Sequence, residues 1–268
     1  KRKILDIVEK LTYTCANKVY PNSKGLEQFI LKHNYVKADK VKVIANGSTN
    51  GIDTQFFCPS QISEEKRDEL RSELNIQETD FVFIFVGRLV SDKGINELVS
   101  AFKSISFGEG FRERLKLLLV GPFESDLDPL LSETLKEIKN NSNIITTGFQ
   151  EDVRQFLAIS DALAFPSYRE GFPNVVMQAG AMGLPSIVTD INGCNEIIEE
   201  GRNGLIIPPK NTELLKKAML KLIEHSKLYY TLESNAREMI TSRYGQKIVW
   251  EALLKEYKTL LDEKGIKY

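Results

Sequence analysis

The chain has 268 residues, 42% hydrophobic and 27% charged, proportions that support a sizeable buried core and exclude a disordered, fibrous or collagen-like chain. With 36 Lys and Arg against 37 Asp and Glu, the net charge is −1 and no bulk field favours nucleic acid. The longest apolar runs, FVFIFV at 81–86 and LKLLLV at 115–120, fall far short of the roughly 20 residues that cross a bilayer.

The chain opens on KRKILDIVEKL, an amphipathic pattern with neither an initiator Met nor the unbroken apolar core of a signal peptide, and reads as a piece of a longer protein. Residues 1–55 read as helix 3–13, strand 18–21, helix 23–33 and strand 41–45, an unfinished βαβ unit. The segment NGSTNGIDTQFFCPS at 46–60 is rich in Gly, Asn, Ser and Pro and reads as a connector, with a boundary near residue 55. Short β-branched or aromatic runs then alternate with helical patterns. Strands are expected at 81–86, 115–120, 143–147, 162–165, 185–189 and 204–207, a six-stranded α/β domain over 56–244 whose Rossmann-like, doubly wound parallel sheet carries its ligand at the carboxyl ends of the strands. Pro208 and Pro209 stop the sheet, and apolar residues at 214, 215, 218, 219, 222 and 223 mark a helix face. A last helix at about 245–264 carries a stripe of Trp250, Leu253, Leu254, Tyr257, Leu260 and Leu261, expected to face a partner surface, most simply as core packing.

The strand-end loops carry the chemistry. After 81–86, VGRLVSDKG places Arg88 and Lys93 at the crevice. Arg88 offers a planar fork for two phosphate oxygens, Lys93 a point charge and Gly94 a close backbone approach. Neither GxxxxGK[ST] nor GxGxxG follows the strand, which removes the main support for ATPase and dinucleotide readings. After 162–165, the segment FPSYREGFPNVVMQA ends a loop at Glu170, Gly171 and Phe172 and suits Pro173 as first residue of a helix. The free N–H groups near Asn174 and Val175 then form an anion site suited to a diphosphate. A carboxylate beside such a site repels phosphate, so Glu170 is assigned to sugar hydroxyls. Gln178, one turn beyond Asn174, can donate to and accept from ribose hydroxyls, or is an ordinary polar helix residue. Gly148 and Phe149 form a turn where backbone or ring can meet a flat base, although a buried Phe serves equally. Gly193 is a backbone approach point, and Asn195-Glu196 opens a helix, Glu196 reading either as a ligand contact or as a helix-start charge. Asp126-Leu127-Asp128 matches D-x-D, but Asp at a helix start is routine.

Several residues fall on the structural side. His33 and His225 lie away from the strand ends and read as structural, and no Ser-His-Asp or Cys-His arrangement is visible. Cys15, Cys58 and Cys194 are scattered, which fits reduced cytosolic thiols rather than disulfides or a zinc site. The glycosylation patterns at Asn46 and Asn140 read as chance.

Together VIANGSTNGID at 43–53, VGRLVSDKG at 86–94, PSYREGFPNVVMQAGAMGLPSIVTDINGCNEII at 166–198 and GRNGLIIPP at 201–209 resemble the retaining glycosyltransferases of GT-B architecture, family four, also called glycosyltransferase group one. The resemblance implies two Rossmann-like domains. Residues 1–55 would be the end of the acceptor-binding domain, and 245–268 a helix packing back toward it. It implies donor-diphosphate binding by Arg88 and Lys93, and two glutamates eight positions apart for donor sugar and ribose. The first is Glu170, but Gln178 stands at the second and brings no second negative charge. The closest likeness is to bacterial enzymes that build capsule, O-antigen and undecaprenyl-diphosphate-linked glycans. The implied donor is a UDP-hexose or UDP-N-acetylhexosamine, transferred with retention and with no required cofactor or metal. The implied partners are this donor and a glycan or undecaprenyl-diphosphate-linked acceptor, with no nucleic acid. The location is cytoplasmic, with peripheral contact at the inner face of the membrane through the rest of the acceptor domain. Alternatives are a nucleotide-sugar epimerase, which shares the architecture, and a non-catalytic UDP-sugar-binding module.

Overall fold

A computed structural model describes residues 2–106, 114–124, 126 and 128–267. The helices are α1 (Arg2–Cys15), α2 (Lys24–Lys32), α3 (Glu64–Glu73), α4 (Ile95–Ser106), α5 (Ser132–Asn140), α6 (Arg154–Ala158), α7 (Asn174–Ala181), α8 (Cys194–Ile197), α9 (Thr212–Glu224), α10 (Ser226–Tyr244) and α11 (Gln246–Glu263). The strands are β1 (Phe81–Val86), β2 (Leu115–Val120), β3 (Ile144–Gly148), β4 (Ala162–Phe165), β5 (Ser186–Thr189) and β6 (Gly204–Ile207).

The six strands form one parallel sheet in the order β3-β2-β1-β4-β5-β6. Continuous apolar runs suit strands covered on both faces, and every residue of β2, β4 and β5 is buried. Helices α4 and α7, with buried Leu98, Phe102, Val176 and Met177, join the strands in one core. Several helices begin where sequence chemistry dictates. Ser23, Ser63 and Asn211 each accept a hydrogen bond from a first-turn N–H, of Leu26, Lys66 and Leu214 respectively.

The amino-terminal strands expected at 18–21 and 41–45 reduce to one parallel bridge between Val19 and Val41, because no neighbouring strand extends the ladder. On α1, Ile4, Leu5, Ile7, Val8 and Leu11 are each more than half exposed. The connector is nonetheless anchored. Arg237 of α10 donates to the carbonyls of Thr54 at 2.9 Å and Phe57 at 2.8 Å, and to that of Ala181 at the end of α7. Ile52 bridges to Gly245, with its N–H on Tyr244 O at 2.8 Å and its carbonyl accepting from Gln246 N at 3.0 Å.

Helix α11 returns to the amino-terminal segment on a face that only partly overlaps the expected stripe, of which Leu253, Leu260 and Leu261 are half-buried. Val249 and Glu256 are buried, whereas Trp250, Leu254 and Tyr257 of the expected stripe are more than half exposed. The buried acid is possible because its partners are waiting. Tyr20 donates its hydroxyl to Glu256 Oε1 at 3.1 Å and Lys42 Nζ engages Oε2. These bonds hold the Glu256 carboxyl below the usual carboxylate range, Lys42 acting most strongly, and push the Tyr20 hydroxyl up to about 12 through burial and Glu256.

Candidate functional site

Strand order reverses between β1 and β4, the place where an open α/β sheet leaves a crevice outside its carboxyl ends. Arg88 and Lys93 follow β1 and Glu170 follows β4, so the switch point joins residues 77 apart in sequence. Lys93 Nζ donates to Glu170 Oε1 at 2.5 Å, and the two side chains are only 17% and 15% exposed. Ser167 Oγ donates to the same oxygen at 2.8 Å, and the Thr189 hydroxyl at the end of β5 donates to the Ser167 carbonyl. Charges taken out of water are stable only with such additional donors. Gly94 makes the turn fit: its φ is +72°, and a Cβ there would stand 2.2 Å from Pro166 O. Cys194 lies close enough to feel the pair. Burial first, then Glu170, pushes its thiol well above the ordinary range, which makes it an inert core residue.

Arg88 occupies the exposed rim, where Nη1 meets Glu124 Oε2 at 2.8 Å and where the charges of Asp92 and Glu170 also reach it. Arg169 holds Asp92 Oδ2 through Nε at 3.1 Å and Nη2 at 2.9 Å. Tyr168 donates to Glu97 Oε1 at 2.7 Å, and Lys210 Nζ sits 4.8 Å from the centre of the Tyr168 ring. Arg88, Asp92, Glu124, Tyr168, Arg169 and Lys210 line a hollow of about 520 Å³. Asp128 Oδ2 accepts from Asp92 N at 2.6 Å, so the second acid of the D-x-D tripeptide holds the Lys93 turn rather than opening a helix. Leu127 lies outside the described residues. Among the described residues no three His, Cys, Asp or Glu side chains converge into a metal-ligating group.

Helix α7 begins one residue later than expected. Pro173 has extended backbone (φ −74°, ψ 112°) and is the cap, because its ring fixes φ while ψ stays outside the helix; Asn174 is the first helical residue. No side chain caps this end, and the N–H groups of Asn174 and Val175 have no acceptor among the described residues. The helix buries Val176, Met177, Ala179, Gly180 and Ala181 and packs Val175 partly against the core, which leaves Asn174 and Gln178, one turn apart, on its open face. The Gln178 amide makes no hydrogen bond among the described residues.

Other expected site residues separate into two groups. Gly171 is exposed beside α7, Gly148 ends β3 at φ +68° with no atom within 4 Å of a Cβ position, and Phe149 is 75% exposed rather than buried. Phe172 is different. It is buried with its ring 5.4 Å from that of Tyr244, so only its backbone faces the crevice. Gly193 has φ +77°, and a Cβ there would stand 2.6 Å from Gly171 O, so it is bare where two loops pack. Glu196 accepts from Lys24 N at 2.8 Å and Gly25 N at 3.0 Å, capping α2, and Asn195 donates to Asp190 Oδ1 at 2.8 Å. His33 stacks on Phe29 at 4.1 Å and His225 joins α9 to α10, both in structural positions. Sequence reasoning missed Glu124, Ser167, Arg169 and Asn192. Arg169 and Ser167 flank Glu170 and were visible there; Glu124 and Asn192 meet their partners only through the fold.

The model of the family described as glycosyl transferases group 1 matches residues 66–239. The chain is 31% identical over 260 residues to the capsular polysaccharide biosynthesis glycosyltransferase CapM of Staphylococcus aureus, covering 97% of this chain and 66% of CapM. It is 24% identical to the UDP-Gal:α-D-GlcNAc-diphosphoundecaprenol α-1,3-galactosyltransferase of Escherichia coli, covering 91% and 62%. The chain thus spans slightly less than two-thirds of the length of these relatives. In fold it resembles the Anabaena protein Alr3699/HepE, solved with UDP and glucose, with a TM-score of 0.83, 22% identity and coverage of 97% and 68%. The family match over 66–239, on a sheet whose switch point joins Lys93 to Glu170, establishes that the chain belongs to the group 1 glycosyl transferases.

Proposed function

We propose that the protein transfers a hexose or N-acetylhexosamine from a UDP-sugar, with retention, to a glycan or undecaprenyl-diphosphate-linked acceptor in bacterial surface-polysaccharide synthesis. The observation that carries the reading is the Lys93–Glu170 pair at the switch point, with Arg88 on its rim and the uncapped start of α7 four residues after Glu170. The activities for which the Staphylococcus and Escherichia relatives are named, and the UDP and glucose held by the Anabaena protein, support it.

In this reading Arg88, Lys93 and the N–H groups of Asn174 and Val175 grip the diphosphate. As the bond from the sugar's C1 to the phosphate oxygen breaks, negative charge gathers on the departing UDP, and these groups stabilise that state more than the ground state. The acceptor hydroxyl oxygen bonds to C1 and its proton is released. Because side chains and helix amides supply the positive charge, no metal cofactor is required. Glu170 and the backbone at Gly171, Phe172 and Pro173 orient the sugar, Gln178 meets the ribose, and Gly148 and Phe149 meet the base. The working place is the cytoplasm, in peripheral contact with the inner face of the membrane.

The test incubates the intact gene product with a panel of UDP-sugars and polyprenyl-diphosphate-linked acceptors, with products read by mass spectrometry and UDP binding by calorimetry. Transfer of one sugar residue, with UDP released, is the expected result. UDP binding without transfer to any acceptor would favour a binding module, a free epimerised sugar would favour an epimerase, and absence of UDP binding would end the reading.

A further inference from the structure

One side chain beside this crevice, given no role by the sequence, bridges two distant pieces of the chain. Asn192, in the loop after β5, donates Nδ2 to the carbonyls of Gly171 at 2.6 Å and Glu170 at 3.3 Å. Its Oδ1 accepts from Ser23 Oγ at 2.9 Å, and Ser23 is fully buried while its own oxygen caps α2 at Leu26 N. One side chain therefore spends both ends of its amide, one on the loop that presents Glu170 and starts α7, the other on the amino-terminal segment. The neighbouring bonds from Lys24 N and Gly25 N to Glu196 fix the same two pieces against each other. Gly25 shows how close the fit is. A Cβ there would stand 2.2 Å from Asn192 Oδ1, so any side chain at 25 has to expel the amide.

We propose that Asn192 is a positioning residue that makes the sugar-orienting geometry of the Glu170–Gly171 loop depend on the docked amino-terminal segment. The inference rests on the donor-binding reading above. Lys93 and Arg88 reach the crevice from the β1 side and touch neither Asn192 nor Ser23, so the side-chain part of the phosphate grip stands apart from this coupling, while the amides of Asn174 and Val175 follow the tethered loop. The loop that orients the sugar does not stand apart, because its two carbonyls are held by an amide whose other end belongs to α2. When the segment is docked the loop is pinned; when it lifts, the loop loses its tether.

The test compares UDP with UDP-glucose, UDP-galactose, UDP-N-acetylglucosamine and UDP-N-acetylgalactosamine by calorimetry, in the unmodified protein, Asn192→Ala and Gly25→Ala, alongside amide hydrogen exchange of residues 170–176. The expected result is UDP affinity retained to within about threefold in both variants, because Arg88 and Lys93 still hold the diphosphate. The extra affinity that the preferred sugar adds should fall about tenfold, the effect of losing two neutral hydrogen bonds, with faster exchange across 170–176. Gly25→Ala is the discriminating variant, since it lies in the amino-terminal segment and acts on the loop only by displacing Asn192. Unchanged sugar increment and unchanged exchange in Gly25→Ala would overturn the coupling while leaving donor binding intact. An unmodified protein that binds no UDP would instead remove the reading on which the coupling stands. Retained UDP binding in each variant also reports that it has folded.

Discussion

The Arg88 guanidinium is useful at a diphosphate only to the extent that it can leave Glu124. That pair is well exposed on both sides, and ion pairs of this kind contribute at most about 1 kcal/mol. Glu124→Gln should therefore tighten UDP binding by about two- to fivefold, and Arg88→Ala should weaken it by roughly 10- to 100-fold, as loss of a charge-assisted contact does. Calorimetry at fixed ionic strength measures both, and a Glu124→Gln protein with weaker binding would show the carboxylate helping rather than competing. The placement of Arg88, Lys93 and Glu170 after β1 and β4 was legible in the sequence, because the strands of a doubly wound sheet show as short apolar runs with the loops at their ends. The fate of the Phe172 ring was not, since its burial depends on Tyr244, brought there by α10. Glu196 was open between ligand contact and helix charge for a related reason: the helix it serves is α2, not its own.

Among the elements, β1 and β4 are joined by a partly buried acid. Asp161, immediately before β4, accepts from Val82 N at 2.7 Å, and burial pushes its pKa up to about 6 against the opposing pull of Arg71. A carboxyl whose folded pKa lies above its unfolded value of about 3.9 stabilises the protein fully below that value, and the contribution is lost as pH rises through about 6. Stability should thus drop by roughly 2–3 kcal/mol between about pH 4 and 6 on account of this group. Asp161→Asn keeps the acceptor for Val82 and should abolish that drop, which paired urea titrations at the two ends of the window will reveal; an identical drop in both proteins would assign it elsewhere. The strands themselves were readable to within a residue or so, because β-branched and aromatic runs fully buried in a parallel sheet are bounded by Gly, Pro and Asn. The stripe on α11 misled because an apolar pattern does not say which face meets a neighbour. The face used here is organised around Glu256, whose burial depends on Tyr20 and Lys42 more than 200 residues earlier.

At the scale of the whole molecule, first and last segments are fastened by Ile52 on Gly245, by Trp250 Nε1 on Asn50 Oδ1 at 2.7 Å, and by Glu256. Glu256→Ala strands the partly buried hydroxyl of Tyr20, while the exposed Lys42 ammonium returns to water, and should cost about 1–2 kcal/mol. Faster proteolytic cutting within residues 1–55, with the sheet intact by far-ultraviolet circular dichroism, would locate the loss in this seam; uniform cutting would place it in the sheet.

On the proposed donor-binding reading, the clasp between Lys93 and Glu170 sets an order of arrival. A monosaccharide entering alone finds the carboxylate already engaged, whereas a diphosphate draws the ammonium to itself and turns the acid loose for hydroxyls. Recognition then runs from the phosphate end of the donor toward the hexose, and free glucose should give no calorimetric signal at concentrations where UDP saturates the protein.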